Sequence, residues 1–244
     1  NLASSEETVI VRENGTFLSI PDNLSVEGKS FENHLLLVQD KETKLYGYCD
    51  SEGYCAIIPQ FEDANSFQNG YAPISQSGKW SHIDLNGNVC SPAVFDSPYY
   101  FESERAIAMK NGIPVLIDTS GDTLKILDSE LTYYDFLPEG IALFSSRFYT
   151  GLIDIEGNEL LPLSERMYID PYPSDGHFFS EGKHPVMNDE GKWGYIDSSG
   201  QIVIECKWNR VCPFSNGLAR VYLDDKMALI DHFGTIIWEE SGVE

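Results

Sequence analysis

The tetrad Asp-x-x-Gly recurs along the chain as Asp50/Gly53, Asp84/Gly87, Asp118/Gly121, Asp154/Gly157, Asp197/Gly200 and Asp231/Gly234. Successive glycines are 34, 34, 36, 43 and 34 residues apart. A period of this size constrains the fold more than any other property. It means that one small supersecondary unit is copied in tandem, and that no copy covers its own apolar face without a neighbour. A degenerate copy comes first: Gly15 lies six residues before Pro21, as Gly53 lies six before Pro59.

Other positions keep the same phase. An aromatic turn precedes each unit, clearest in Phe67-Gln68-Asn69-Gly70, Phe179-Ser180-Glu181-Gly182 and Phe214-Ser215-Asn216-Gly217. A Gly-Lys-Trp turn follows in Gly78-Lys79-Trp80 and Gly191-Lys192-Trp193. The stretches between turns are short, rich in Ile, Val, Tyr and Phe, and bounded by Gly, Asn, Asp and Ser, which reads as strands. Each unit is expected to hold about three of them. The Asp-x-x-Gly tetrad suits the hairpin turn between the last two, the carboxylate accepting backbone N–H groups and the glycine taking φ > 0. Two columns add detail. The position before each Asp is Cys49, Ile83, Ile117, Ile153, Ile196 and Ile230, which must face the shared core. The position three before it is Gly47, Ser81, Val115, Gly151, Gly194 and Ala228, and a column that stays small predicts close approach by a neighbour.

With Gly191-Lys192-Trp193-Gly194-Tyr195-Ile196-Asp197-Ser198-Ser199-Gly200, then Ile202-Val203-Ile204 and Phe214-Ser215-Asn216-Gly217-Leu218-Ala219, the chain resembles the bacterial WG-repeat, or KWG-repeat, proteins over nearly its whole length. The first unit has Tyr46-Gly47 at the Trp-Gly position, and the third departs with Pro114-Val115. The resemblance implies a tandem array of β-rich repeats, often in exported or surface proteins, with no shared catalytic residues and mostly unknown ligands.

The expected fold is all-β: tandem three-stranded repeats of about 35 residues in a single repeat domain over 1–244. A degenerate unit covers 1–37, six units run from about 38 to 240, and an insertion falls near 163–182. A propeller-like ring is favoured over an open β-solenoid. The N-terminal piece begins within a hairpin at Thr8-Val9-Ile10-Val11, and the last unit stops after its third strand, so incomplete ends would complete each other.

Composition narrows the function classes. With 16 Lys plus Arg against 39 Asp plus Glu, the net charge is −23, which argues against nucleic acid, whose phosphates need clustered cations. No apolar run approaches the roughly 20 residues of a transmembrane helix. No phosphate-binding loop, dinucleotide fingerprint or nucleophile elbow occurs, and no cofactor is expected. Five histidines, His34, His82, His177, His184 and His232, sit at different repeat phases without metal-ligand spacing. The aspartate turns carry too few carboxylates each for a repeat-type Ca²⁺ loop, so no metal is expected either.

The insertion is the strongest candidate for a ligand face, because insertions in repeat folds gather on one surface. Its Tyr168, Asp170, Tyr172, Asp175, His177 and Phe178 supply aromatic platforms and polar groups suited to a sugar or a peptide. The pairs Tyr99-Tyr100 and Tyr133-Tyr134 occupy matching phases and, with Trp208, could extend an aromatic surface. Among the cysteines, Cys49 and Cys55 flank the first Asp-x-x-Gly turn and could bridge a hairpin, while Cys206 and Cys212 could close a loop. The expected function is a non-catalytic binding module for a protein, peptide or glycan, exported or tethered at the cell surface, with the cytoplasm still open. The rivals are a glycan- or peptide-processing enzyme using carboxylates of the insertion, and a structural spacer.

Overall fold

The computed structural model describes residues 19–169, 178–224 and 226–240. The chain divides into two compact units, Asn1–Leu127 and Asp128–Glu244, and the division falls at a repeat boundary. Each unit contains three small antiparallel sheets whose strands follow one another in space as they do in sequence.

In the first unit, the first sheet orders Leu24–Val26, Leu35–Asp40, Tyr46–Asp50 and Cys55–Phe61. The second orders Asp63–Ala64, Tyr71–Gln76 and Lys79–Asp84, and the third Arg105–Lys110, Ile113–Asp118 and Thr123–Ile126. In the second unit, the fourth sheet orders Thr132–Tyr133, Ile141–Ser145, Thr150–Asp154 and Glu159–Leu161. The fifth orders His184–Met187, Trp193–Ile196 and Ile202–Trp208; the sixth orders Arg210–Val211, Ala219–Leu223, Lys226–Ile230 and Ile236–Glu239. Among the described residues the one helical element is the 3₁₀ turn Leu163–Glu165, and no helix is long and apolar enough to cross a membrane.

Three strands per repeat therefore hold in five sheets, and a short additional strand precedes the repeat in the first, second, fourth and sixth sheets. The second sheet departs: after its Asp-x-x-Gly turn only the isolated bridges Ile83↔Val89 and Trp80↔Phe95 form. Pro92 lies between them and has no N–H to give a ladder.

The turns are built as the tetrad requires. Asp197 Oδ1 accepts the N–H groups of Ser199 and Gln201 at 2.9 and 3.1 Å, and Gly200 N–H returns to the Asp197 carbonyl at 3.0 Å with φ of 79°. The same pair of bonds recurs at Asp50, Asp84, Asp118, Asp154 and Asp231. At Asp231 the Thr235 and Phe233 amides hold the carboxyl below its usual range. Oδ1 of each aspartate is thus occupied by its own turn.

The Ile column, Cys49 included, is buried throughout. Neighbouring sheets share apolar clusters within each unit: Tyr48, Phe61, Phe67 and Ile83 between the first and second, and Tyr195, Trp208, Phe214 and Ile230 between the fifth and sixth. Hydrogen bonds stitch the same seams. Tyr48 and Tyr195 each donate a phenolic O–H at 2.7 Å to a carbonyl 17 residues on, at Asn65 and Cys212. Burial in these seams pushes both phenols well above the usual tyrosine range.

Candidate functional site

Tyr168 owes its position to an alternation. Met167 and Ile169 are buried, so in extended chain the residue between them faces out. The segment is held from both sides within the second unit. The Thr150 amide of the fourth sheet donates to the Met167 carbonyl at 2.9 Å, while Tyr168 and Met187 of the fifth sheet exchange backbone bonds of 2.8 and 3.0 Å. Tyr168 is left 42% exposed on backbone bonded from both sides.

Beside it opens a groove of about 280 Å³, whose lining includes Phe148, Tyr149, Arg166, Tyr168, Met187 and Asp189. Phe148 is 69% exposed, with the Arg147 guanidinium 5.5 Å from its ring centroid. Arg166 faces Asp189 at 3.4 Å, and both side chains are solvent-accessible, so the pair contributes little stability and remains available to a ligand. The groove thus combines two exposed aromatic faces with a cationic donor and an anionic acceptor. Phe148-Tyr149 sits in the hairpin turn where other copies carry Ser77-Gly78, Asn111-Gly112 or Glu190-Gly191, and that substitution was the sequence signal for it.

The other expected site residues fall as follows. Phe178, expected on the ligand face, is a core ring: it is 6% exposed and stacks on His184 with centroids 3.9 Å apart. The buried His184 donates Nδ1–H to the Phe178 carbonyl, which fixes both rings. Asp170, Tyr172, Asp175 and His177 lie outside the described residues. Tyr99 is also buried, its hydroxyl 2.8 Å from His82 Nδ1. Tyr100 is half-buried and accepts a bond from Asn65 Nδ2 at 2.8 Å. Tyr133 stacks on Phe144 with centroids 5.7 Å apart, and its hydroxyl accepts the Asp128 N–H at 3.2 Å. Tyr134 packs against the cluster between the fourth and fifth sheets. Trp208 is buried as well. The tyrosine pairs belong to different compact units and are largely used in seams between sheets.

A second and larger cavity, of about 590 Å³, lies in the first unit between the turns at Asn69-Gly70, Asp84–Asn86 and Glu102–Glu104. Several of its polar groups are already engaged. Asp84 accepts its own turn, and Asn69 Nδ2 donates to Glu102 Oε2 and to the Phe101 carbonyl, both at 2.8 Å. The smaller groove, with two exposed aromatic faces, is the better candidate. Among the described residues no group of three His, Cys, Asp or Glu side chains is arranged to hold a metal ion.

No curated protein matches the chain. Among solved structures it is similar to one described as the crystal structure of the eukaryotic initiation factor. That likeness has a TM-score of 0.53 at 10% identity and covers 94% of this chain and 69% of that one. The chain is also similar to KlHsv2 with loop 6CD replaced by a Gly-Ser linker (TM-score 0.46, 10% identity, 88% and 78% covered) and to Kluyveromyces lactis Hsv2 (0.42, 11%, 89% and 80%). At these identities the first likeness is one of fold alone, and that fold is all-β and propeller-like. The model of the WG containing repeat matches residues 46–80, 83–112 and 193–226, so the chain carries WG repeats at three places.

Proposed function

We propose that the chain is a non-catalytic binding module that holds a glycan in the groove beside Tyr168, at the cell envelope. The observation that carries this reading is the pair of exposed aromatic faces, Phe148 and Tyr168, flanking a groove that also presents Arg166 and Asp189. Flat aromatic rings suit the C–H face of a sugar, and an adjacent donor and acceptor suit its hydroxyls. Two-carboxylate hydrolysis finds one carboxylate, Asp189, among the described lining residues, which favours binding over turnover. The envelope placement rests on the habit of the family and on the net charge of −23, which suits a soluble surface that repels polyanions.

The test is calorimetric titration of the whole chain with cell-wall and plant glycans, and with basic peptides as competitors for the assignment. Tyr168→Ala and Phe148→Ala should each weaken glycan affinity about tenfold. Their melting temperatures should barely change, because both side chains are exposed. Unaltered affinity in both variants would sink the groove, and binding confined to basic peptides would replace the glycan with a peptide ligand.

A further inference from the structure

Two of the five cysteines face each other. Cys49, at the end of Tyr46–Asp50, is the register partner of Cys55, at the start of Cys55–Phe61, across the first Asp-x-x-Gly turn. The Asp50 N–H donates to the Tyr54 carbonyl at 2.9 Å, so the neighbouring Cys49–Cys55 rung is a non-hydrogen-bonded pair. Facing Cα atoms come closest in such pairs, at about 4.5 Å, which lies inside the range that a disulfide spans. The two sulfurs are already in contact, Sγ to Sγ 3.7 Å. The pair is also asymmetric. Cys49 is buried with Leu24 and Val38, whereas Cys55 packs at the margin of that cluster and is partly exposed. The remaining thiols have no such arrangement: Cys206 Sγ lies 3.8 Å from the Val186 carbonyl and Cys90 Sγ 3.4 Å from the Asn88 carbonyl.

We infer that Cys49 and Cys55 are a thiol–disulfide exchange site, converted by low-molecular-weight disulfides into a reversible covalent latch across the first-sheet hairpin. Exchange starts at the accessible sulfur. Cys55, having lost its proton to water, attacks one sulfur of the external disulfide. That S–S bond breaks, a mixed disulfide forms on Cys55, and one small thiolate leaves. Cys49 then loses its proton and attacks Cys55 Sγ, forming the Cys49–Cys55 bond and expelling the second small thiolate. Two protein thiols are oxidised, one external disulfide is reduced to two thiols, and the two protons end on those thiols.

Burial, with the contact to Cys55 and the charge of Asp50 behind it, pushes the Cys49 thiol upward, so the second step is the slow one and gains speed as pH rises. Below the Cys49 pKa its rate should rise about tenfold per pH unit, as the thiolate fraction does. The latch would tie the middle strand of the first sheet to its outer strand.

The full chain is incubated with oxidised glutathione at pH 8 and pH 9, quenched in acid, unfolded, alkylated and digested with trypsin. The peptide from Leu45 to Lys79 contains Cys49 and Cys55 and no other cysteine. It should appear unalkylated and lighter by two hydrogens, faster at the higher pH, and recover two alkylatable thiols after dithiothreitol. The peptide from Trp193 to Lys207, which carries Cys206, should stay alkylated. Cys55→Ser, chosen because that side chain is the partly exposed one, should keep Cys49 fully alkylatable. Two alkylated cysteines in the wild-type peptide after incubation at pH 9, or arrest as a stable glutathione adduct there, would overturn the inference.

Discussion

The fifth and third sheets carry the same repeat and fill its smallest position differently. In the fifth, Gly194 lies in the middle strand between the rungs Trp193↔Trp208 and Tyr195↔Ile204. Two residues of advance on that strand face four on the outer one, so the outer strand bulges over the glycine. A Cβ at 194 would lie 2.4 Å from the Ile204 carbonyl oxygen and 2.8 Å from the Cys206 nitrogen. The first sheet repeats this at Gly47, between Tyr46↔Phe61 and Tyr48↔Ile57. In the third sheet the extra outer-strand residue falls between Thr123 and Lys125, away from the rung Val115↔Ile126, and the valine side chain is buried in the space. The glycine of Trp-Gly therefore records a bulge in the partner strand, and a copy whose bulge lies elsewhere is free to carry Pro114-Val115.

The largest expected effect breaks that comparison directly. Gly194→Ala forces a methyl into backbone on the far side of the sheet and should cost about 3 kcal/mol or more in urea unfolding. Ala228→Gly, at the same column of the sixth sheet where Ala228 faces Glu239 across an ordinary rung, should cost about 1 kcal/mol. Equal costs at the two positions would show that the column is small for some other reason.

The position two before each Asp sharpens the comparison. It is Tyr48, His82 and Tyr195 in three sheets and Leu116, Leu152 and Leu229 in the others. His82 is the most committed of the polar ones: buried, with Nδ1 2.8 Å from the Tyr99 hydroxyl and Nε2 2.8 Å from the Thr119 carbonyl of the third sheet's turn. A neutral ring satisfies both, Tyr99 donating to Nδ1 and Nε2–H donating to Thr119. Burial lowers the His82 pKa, against the smaller opposing pull of the Thr119 carbonyl and Asp118. A depressed folded value means that the unfolded chain binds the proton first. Stability from His82 is present above the ordinary histidine value of about 6.5 and is lost as pH falls from there through the folded value. His82→Leu, which installs the residue used by three other copies, should remove that pH dependence. At pH 7 it should cost about 1–3 kcal/mol, because the Tyr99 hydroxyl and Thr119 carbonyl lose their partner. Urea midpoints of both proteins between pH 7 and pH 5 decide it; parallel curves would mean that another group carries the dependence.

What the sequence discloses divides along the same line. The period, the aspartate turns and the buried Ile column are local, and each follows from a few consecutive residues. Tyr168 is legible too, because Met167 and Ile169 bracket it with apolar side chains. The groove around it is not, since Phe148, Arg166 and Asp189 reach it from separate turns that only the sheet packing brings together. Phe178 and Tyr99 show the opposite failure. An aromatic beside polar residues looks like a platform until packing supplies His184 or His82 as its partner. The bulge behind Gly194 is a matter of register, which no single strand states.

The smallest expected effect concerns the two-residue turns ahead of the first long strand in five of the repeats. Asn69-Gly70, Glu181-Gly182 and Asn216-Gly217 all place both residues at positive φ, and so do Ser103-Glu104, at 48° and 63°, and Asn33-His34, at 50° and 65°. A Cβ added at Gly70, Gly182 or Gly217 would meet nothing within 4 Å, so what separates glycine from other residues there is backbone strain alone. That strain is roughly 1–2 kcal/mol for an ordinary L-residue. Glu104→Gly should release it, and the greater freedom of glycine in the unfolded chain should take part of the gain back, leaving a net stabilisation of about 0.5 kcal/mol. The bond that the Arg105 side chain donates from Nη1 to the Glu104 main-chain carbonyl survives the change. A urea midpoint that rises slightly at constant slope is the expected result. A falling midpoint would mean that the Glu104 side chain, on the wall of the first unit's cavity, contributes more than its strained backbone costs.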